Sequence, residues 1–250
     1  MELAAQDIKP GDSVSEIVKR NYQTADVFSK YGIDYCCGGK WPLKMICENR
    51  GLDTDKIIEE LHLAQYEMHF SHLINFGEWD VDFLVDFIIH IHHRYFVASL
   101  PGITSLVESF INKHKEKYPG LADLTQHIKD LSGIILKGIH RKQEVLFPYI
   151  KQISHAHAGK ELYARAFART LKKPLEEVMQ TETQQVNEIL SLFRIKTNSY
   201  TPPENSCVTH KVVFARLREV DINLQHNRRL EYDILFPRAL AMERELIARE

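Results

Sequence analysis

The sequence lacks any apolar run near the ~18 residues that a membrane-crossing helix requires. Its start, MELAAQDIKPGD, lacks the basic-then-apolar layout of a signal peptide, so a cytoplasmic location is expected. It also lacks a charge excess. Lys plus Arg number 32 against 34 for Asp plus Glu, a formal net charge of −2. That balance argues against nucleic-acid binding through bulk electrostatics. Neither nucleic acid nor membrane is therefore expected as a partner. Cysteine is scarce, at 4 residues. There is no CxxC pair and no zinc-finger spacing. Cys36 and Cys37 are neighbours, and an unstrained disulfide needs Cα atoms more than about 4.4 Å apart. The pattern fits free thiols in a reducing compartment. No stretch alternates with strand period over strand length.

What is abundant is histidine, at 13 residues. Imidazole is the commonest metal ligand, so the histidine positions become the first question. Otherwise 44% hydrophobic and 26% charged residues are ordinary for a soluble globular chain. A length of 250 residues allows one large domain or two small ones.

Residues 1–66 form the first expected unit. Ser13-Val14-Ser15-Glu16 is a capping box, and apolar residues from Ile17 to Phe28 continue helically from it. Tyr31-Gly32-Ile33-Asp34-Tyr35-Cys36-Cys37-Gly38-Gly39-Lys40 breaks that helix and carries the thiols on a Gly-rich loop. Pro42 suits the start of a further helix ended by Gly51, and Asp53 or Thr54 caps the next. Residues 67–79 are expected as a linker or docking segment. From 80 to 250 the pattern is long helices with short loops, which implies an antiparallel four-helix bundle. The expected helices cover 80–98, a continuation from 102 after a break at Leu100-Pro101, 121–147, 159–170, 174–195 and 206–236. The fold class is thus all-α. Glu144-Val145-Leu146-Phe147-Pro148 recurs as Asp233-Ile234-Leu235-Phe236-Pro237, each copy expected to end a long helix. The repeat suggests a duplicated helical hairpin and a pseudo-symmetric bundle.

These segments resemble a known family. Val27-Phe28, followed by Tyr31 through Lys40 with its Cys36-Cys37 pair, is similar to the N-terminal domain of the repair-of-iron-centres proteins. The two Leu-Phe-Pro sequences, and Asn198 with Thr201-Pro202-Pro203-Glu204 and Cys207, resemble their hemerythrin-like C-terminal domain. The likeness covers nearly the whole chain in the right order. It implies a non-haem di-iron centre inside a four-helix bundle. It also implies a role in iron–sulfur cluster repair and the response to nitric oxide and oxidative stress. Iron–sulfur proteins would be the partners, and a homodimer is compatible with the pattern.

The ligand set that this resemblance implies transfers only in part. His93, eight residues before Pro101, and His114, before the Tyr118-Pro119 turn, match. The third helix should offer His and Glu at ten and six residues before its Pro, and here those places hold Gly138 and Lys142. A fourth histidine is replaced by Thr183. The equivalent places before Pro237 hold Asn227 and Glu231, so only the glutamate is kept. The expected metal residues are His93, His114 and Glu231. His226, one residue out of register, joins them if a π-bulge turns it inward. Together these could hold a single iron, zinc or manganese ion rather than a full di-iron centre, or no metal at all. The repeat sets Lys142 opposite Glu231, which predicts a salt bridge where bridging metal charge would otherwise sit.

Other histidines carry less. His140 and Glu144 have ligand spacing, but a two-residue offset turns them about 200° from the bundle axis. His92, about 100° from His93, is expected on the solvent side. Cys36 and Cys37, on a Gly-Gly loop near Lys40, are the candidate catalytic thiols, with a lowered pKa expected there. Cys207, at a helix start after the Pro-Pro loop, is placed to meet a thiol of the other domain, and Cys47 belongs to a core. Two functions are consistent with this pattern. One is iron-centre repair with a reduced di-iron site. The other is a diverged adaptor or regulator acting through its thiols, or a binder of a small ligand in the vacated bundle cavity. Enzymatic turnover is not specified by the residues.

Overall fold

Ser13 caps the first helix, α1 (Val14–Arg20), its hydroxyl accepting from the Glu16 backbone N–H. Helix α2 (Thr24–Lys30) follows. Helix α3 (Leu43–Arg50) begins after Pro42 and stops at Gly51, whose φ of 64° is the left-handed conformation suited to glycine. Asp53 caps α4 (Thr54–Ala64), accepting from the N–H groups of Asp55 and Lys56. Val14, Ile17, Val18, Phe28, Leu43, Cys47, Ile57 and Leu61 are the buried faces of these short helices. The thiol loop returns beside α1, where the Ser15 N–H donates to the Gly39 carbonyl at 2.8 Å. A Cβ on Gly39 would meet the Tyr35 carbonyl oxygen at 2.5 Å, so that approach requires glycine.

The computed structural model describes residues 7–36, 39–65, 75–159 and 175–248. Two compact units emerge: Met1–His72 with Tyr200–Arg216, and Leu73–Ser199 with Leu217–Glu250. Among the described residues the regular structure is helical, and the one isolated β-bridge links Ser13 to Pro42. Most of the expected linker at 67–79 lies outside the described residues. Its end, Phe76 to Trp79, packs against the core of the second unit. The expected helix at 159–170 also lies outside them.

The second unit is a helical bundle. Its elements are α5 (Val81–Phe87), α6 (Arg94–His114), α7 (Leu124–Arg141), α8 (Phe147–His157) and α9 (Leu175–Lys196), then the part of α10 (Val208–Arg228) from Leu217 onward and α11 (Phe236–Ala248). Within it α6 and α9 pack on α7, and α8 packs on α5 and α11. Leu84, Ile88, Phe147, Ile150, Leu235 and Phe236 are among the side chains at its centre.

Two expectations are corrected here. Pro101 does not break a helix, because α6 runs through it. The missing N–H would have served the Val97 carbonyl, but Val97 is 52% exposed and water can take that role. Nor do the Leu-Phe-Pro sequences end helices. Each is preceded by a π-helical stretch, Lys142–Leu146 or Arg229–Leu235, and opens the next α-helix. Pro148 and Pro237 fall in the first turn of α8 and α11, where a missing N–H costs little. A further π stretch, Ile88–His93, joins α5 to α6.

A buried ion pair as the candidate functional site

The π stretches carry the residues that converge. Ile88–His93 supplies His93, Lys142–Leu146 supplies Lys142 and Gln143, and Arg229–Leu235 supplies Glu231. A π turn widens the helix by one residue and is often found at functional sites. Here it aims side chains that α-helical spacing would separate.

Glu231 is the centre of the arrangement, with 0% exposure. Lys142 Nζ donates to its Oε2 at 2.6 Å, across the 89-residue offset that relates the two repeats. The salt bridge predicted from that offset is therefore present, with the Lys142 side chain only 15% exposed. His93 Nε2 lies 3.0 Å from Glu231 Oε1, and Gln143 Nε2 lies 3.2 Å from His93 Nδ1. An amide N–H directed at Nδ1 requires the ring proton on Nε2, which then donates to the carboxylate. Phe147 stacks on the His93 ring, centroids 5.4 Å apart and planes 9° apart. Tyr232 offers its ring face to Lys142 at 5.7 Å and to Arg228 at 5.8 Å.

These contacts set the charge on Glu231. Burial pushes the carboxyl up, but the Lys142 charge and the His93 hydrogen bond outweigh it and hold it at about 2. Both carboxylate oxygens thus face positive or donating groups, as a buried charge requires.

The remaining expected residues are placed as follows. His92, expected at the surface, is 6% exposed and its pKa is lowered to about 4, mainly by burial and then by the proximity of His226. The wider π turn changes the angular step on which the expectation rested. His226 is itself exposed. His114 is half-buried against Phe110 and Tyr118, its ring 5.0 Å from that of Phe110. His140 and Glu144 are both exposed. The Thr183 side chain lies outside the described residues, as does Cys37. Asn227 is 5% exposed, and its Oδ1 has no hydrogen-bond partner among the described residues. In the first unit Cys36 is half-buried, and its backbone N–H donates to Asp34 Oδ1 at 2.8 Å. Burial pushes the Cys207 thiol up, and a contact with Cys36 adds to that. Cys47 is fully buried.

A di-iron centre would need carboxylates and imidazoles with free lone pairs directed at one point. Lys142 instead directs an ammonium at the carboxylate, and the Nε2 of His93 carries a proton toward it. Among the described residues no three His, Cys, Asp or Glu side chains gather in a way that could hold a metal ion. As arranged, the residues do not fit a metal pair. Gln143 and Phe147, which orient His93, were not singled out from sequence. Gln143 follows Lys142 directly, and only the π turn brings it to the ring.

Comparisons with known proteins point to one family. Residues 10–65 match the ScdA_N model, described as a domain of unknown function (DUF542). The chain is 30% identical over 221 residues, 87% of its length and 91% of the relative, to the iron-sulfur cluster repair protein YtfE of Escherichia coli O81 (strain ED1a). It is 29% identical over the same spans to the proteins of that name from Escherichia coli O1:K1 / APEC and Escherichia fergusonii. A relative at this identity, matched over nearly all of its length, fixes the kinship: the chain belongs to the repair-of-iron-centres family.

Proposed function

We propose that this protein serves the recovery of iron–sulfur clusters in other proteins under nitric oxide or oxidative stress, with an ion pair where a metal pair would sit. The family kinship supports the repair role, because cluster repair is the activity named for the relatives. The observation that carries the second half is the Lys142–Glu231 bridge at 2.6 Å inside the bundle. Iron–sulfur proteins are then the partners and the cytoplasm the site of action. No helix among the described residues is long and apolar enough to cross a membrane. Cys36 and Cys37 take the chemistry that iron cannot supply here, and the contact between Cys36 and Cys207 favours this thiol-based variant. Residues His93, His114, Glu231 and His226 are left at most a single-ion role.

Elemental analysis of protein purified without added metal, with its absorption spectrum, tests the reading. Substoichiometric iron and no oxo-bridged near-ultraviolet bands are expected. Two irons per chain would overturn it. Cys36→Ser with Cys37→Ser should abolish protection of a damaged iron–sulfur enzyme. Full protection by that variant would remove the thiols from the mechanism.

A further inference from the structure

Replacing large ligands by smaller side chains leaves space beside the ion pair. Gly138 and Asn227 border a cavity of about 40 Å³, together with Lys142, Arg228, Tyr232 and apolar walls such as Ile135. One water needs roughly 10–15 Å³ measured in this way, and drug-sized ligands need hundreds. The space therefore suits an ion or molecule of a few heavy atoms.

Its chemistry is uneven. Lys142 is matched by Glu231, but no salt bridge joins Arg228 to a carboxylate among the described residues. Its terminal nitrogen donates to the neutral Asn187 side chain. Arg228 Nε is buried and has no hydrogen-bond partner among the described residues, and Asn227 Oδ1 is in the same condition. Among the described residues no carboxylate lines the cavity. Among the described residues, two cations and one carboxylate thus leave one positive charge uncompensated at a partly buried place. Unpaired buried polar groups are costly and mark places where a partner is missing.

We propose that this cavity binds a small planar monovalent anion of the carboxylate class, with formate as the simplest case. The fork of an arginine guanidinium presents parallel N–H donors that match two oxygens on one centre. The Asn227 amide can turn end for end and offer its NH₂ to the same anion. The apolar walls and small volume exclude bulky or divalent tetrahedral anions. The proposal rests on the reading that an ion pair occupies the place of the metal pair.

The test uses the full chain and [13C]formate, followed by NMR line broadening, with sodium sulfate at equal ionic strength as the control salt. Saturable formate binding is expected, unaffected by sulfate. Arg228→Gln and Asn227→Leu should each weaken it at least tenfold, and Arg228→Lys should fall between wild type and Arg228→Gln. Circular dichroism establishes that each variant is folded. Non-saturable broadening, or equal broadening in wild type and both variants, would overturn the proposal. Iron content is measured on the same sample. Two irons per chain would defeat the underlying reading, whereas iron-free protein that ignores formate would defeat the anion site alone.

Discussion

The segments 138–148 and 227–237 are two versions of one structure. Each passes from an α-helix through a π stretch into a new α-helix that opens on Phe-Pro. They differ where it matters most: one presents Lys142 and Gly138, the other Glu231 and Asn227, at equivalent places. Pseudo-symmetry makes those places face each other. Two carboxylates there would repel unless cations lay between them. One lysine converts repulsion into attraction and removes the need for a cation from outside. The comparison teaches that a backbone shaped for charge neutralisation can keep its geometry while exchanging the neutralising agent.

The strongest way to break the comparison is to make the halves alike. Lys142→Glu should destabilise the iron-free protein by about 5 kcal/mol at neutral pH, since two buried carboxylates would face each other. Urea unfolding measures this. Adding Gly138→His should raise iron binding above wild type, and no gain would count against the assigned correspondence. Lys142→Met comes next, with a loss of about 3–5 kcal/mol from an unpaired buried carboxylate. The double variant Lys142→Met, Glu231→Met should recover most of that loss, because apolar groups can replace a buried pair at little cost.

Acid gives the third test. Glu231 is held at about 2, below its ordinary 4.5, so its contribution is complete above the ordinary value. It is lost as the pH falls through about 4.5 toward 2, and amounts to about 3 kcal/mol. Wild type should lose stability across that window, while the double methionine variant should lack this component. The smallest effect belongs to Asn227→Leu. It replaces a buried acceptor without a partner by an apolar group of similar size, and should raise stability by about 1–2 kcal/mol in thermal unfolding. A loss instead would mean that Asn227 is satisfied by bound solvent or ligand.

Much of this was legible in the sequence because it depends on spacing. Once the family resemblance had singled out those positions, the offset between the Leu-Phe-Pro repeats paired Lys142 with Glu231, and Ser13, Gly51 and Asp53 marked helix ends by their own chemistry. A π-bulge was raised only as a condition for His226, which is exposed, and the stretches at Ile88–His93 and Lys142–Leu146 were not legible, because a helix with one extra residue in a turn has the same composition as a regular one. His92 was accordingly expected outside and is buried, and the hold of Gln143 on His93 was missed. Pro101 misled for another reason. Propensity assigns a cost to proline in a helix, but exposure of the Val97 side of the turn lowers it, and exposure is a tertiary property.

The π stretches also bear on how such a chain can change over generations. Each spends one residue more per turn than the α-helices around it. Losing a single codon from Arg229–Leu235 would let the backbone relax to α geometry, which leaves the helices on either side nearly in register but re-aims the side chains inside the stretch. Glu231 would leave the axis without any substitution having touched it. Point mutation adjusts the charge at this centre, and single-codon insertion or deletion decides whether there is a centre at all.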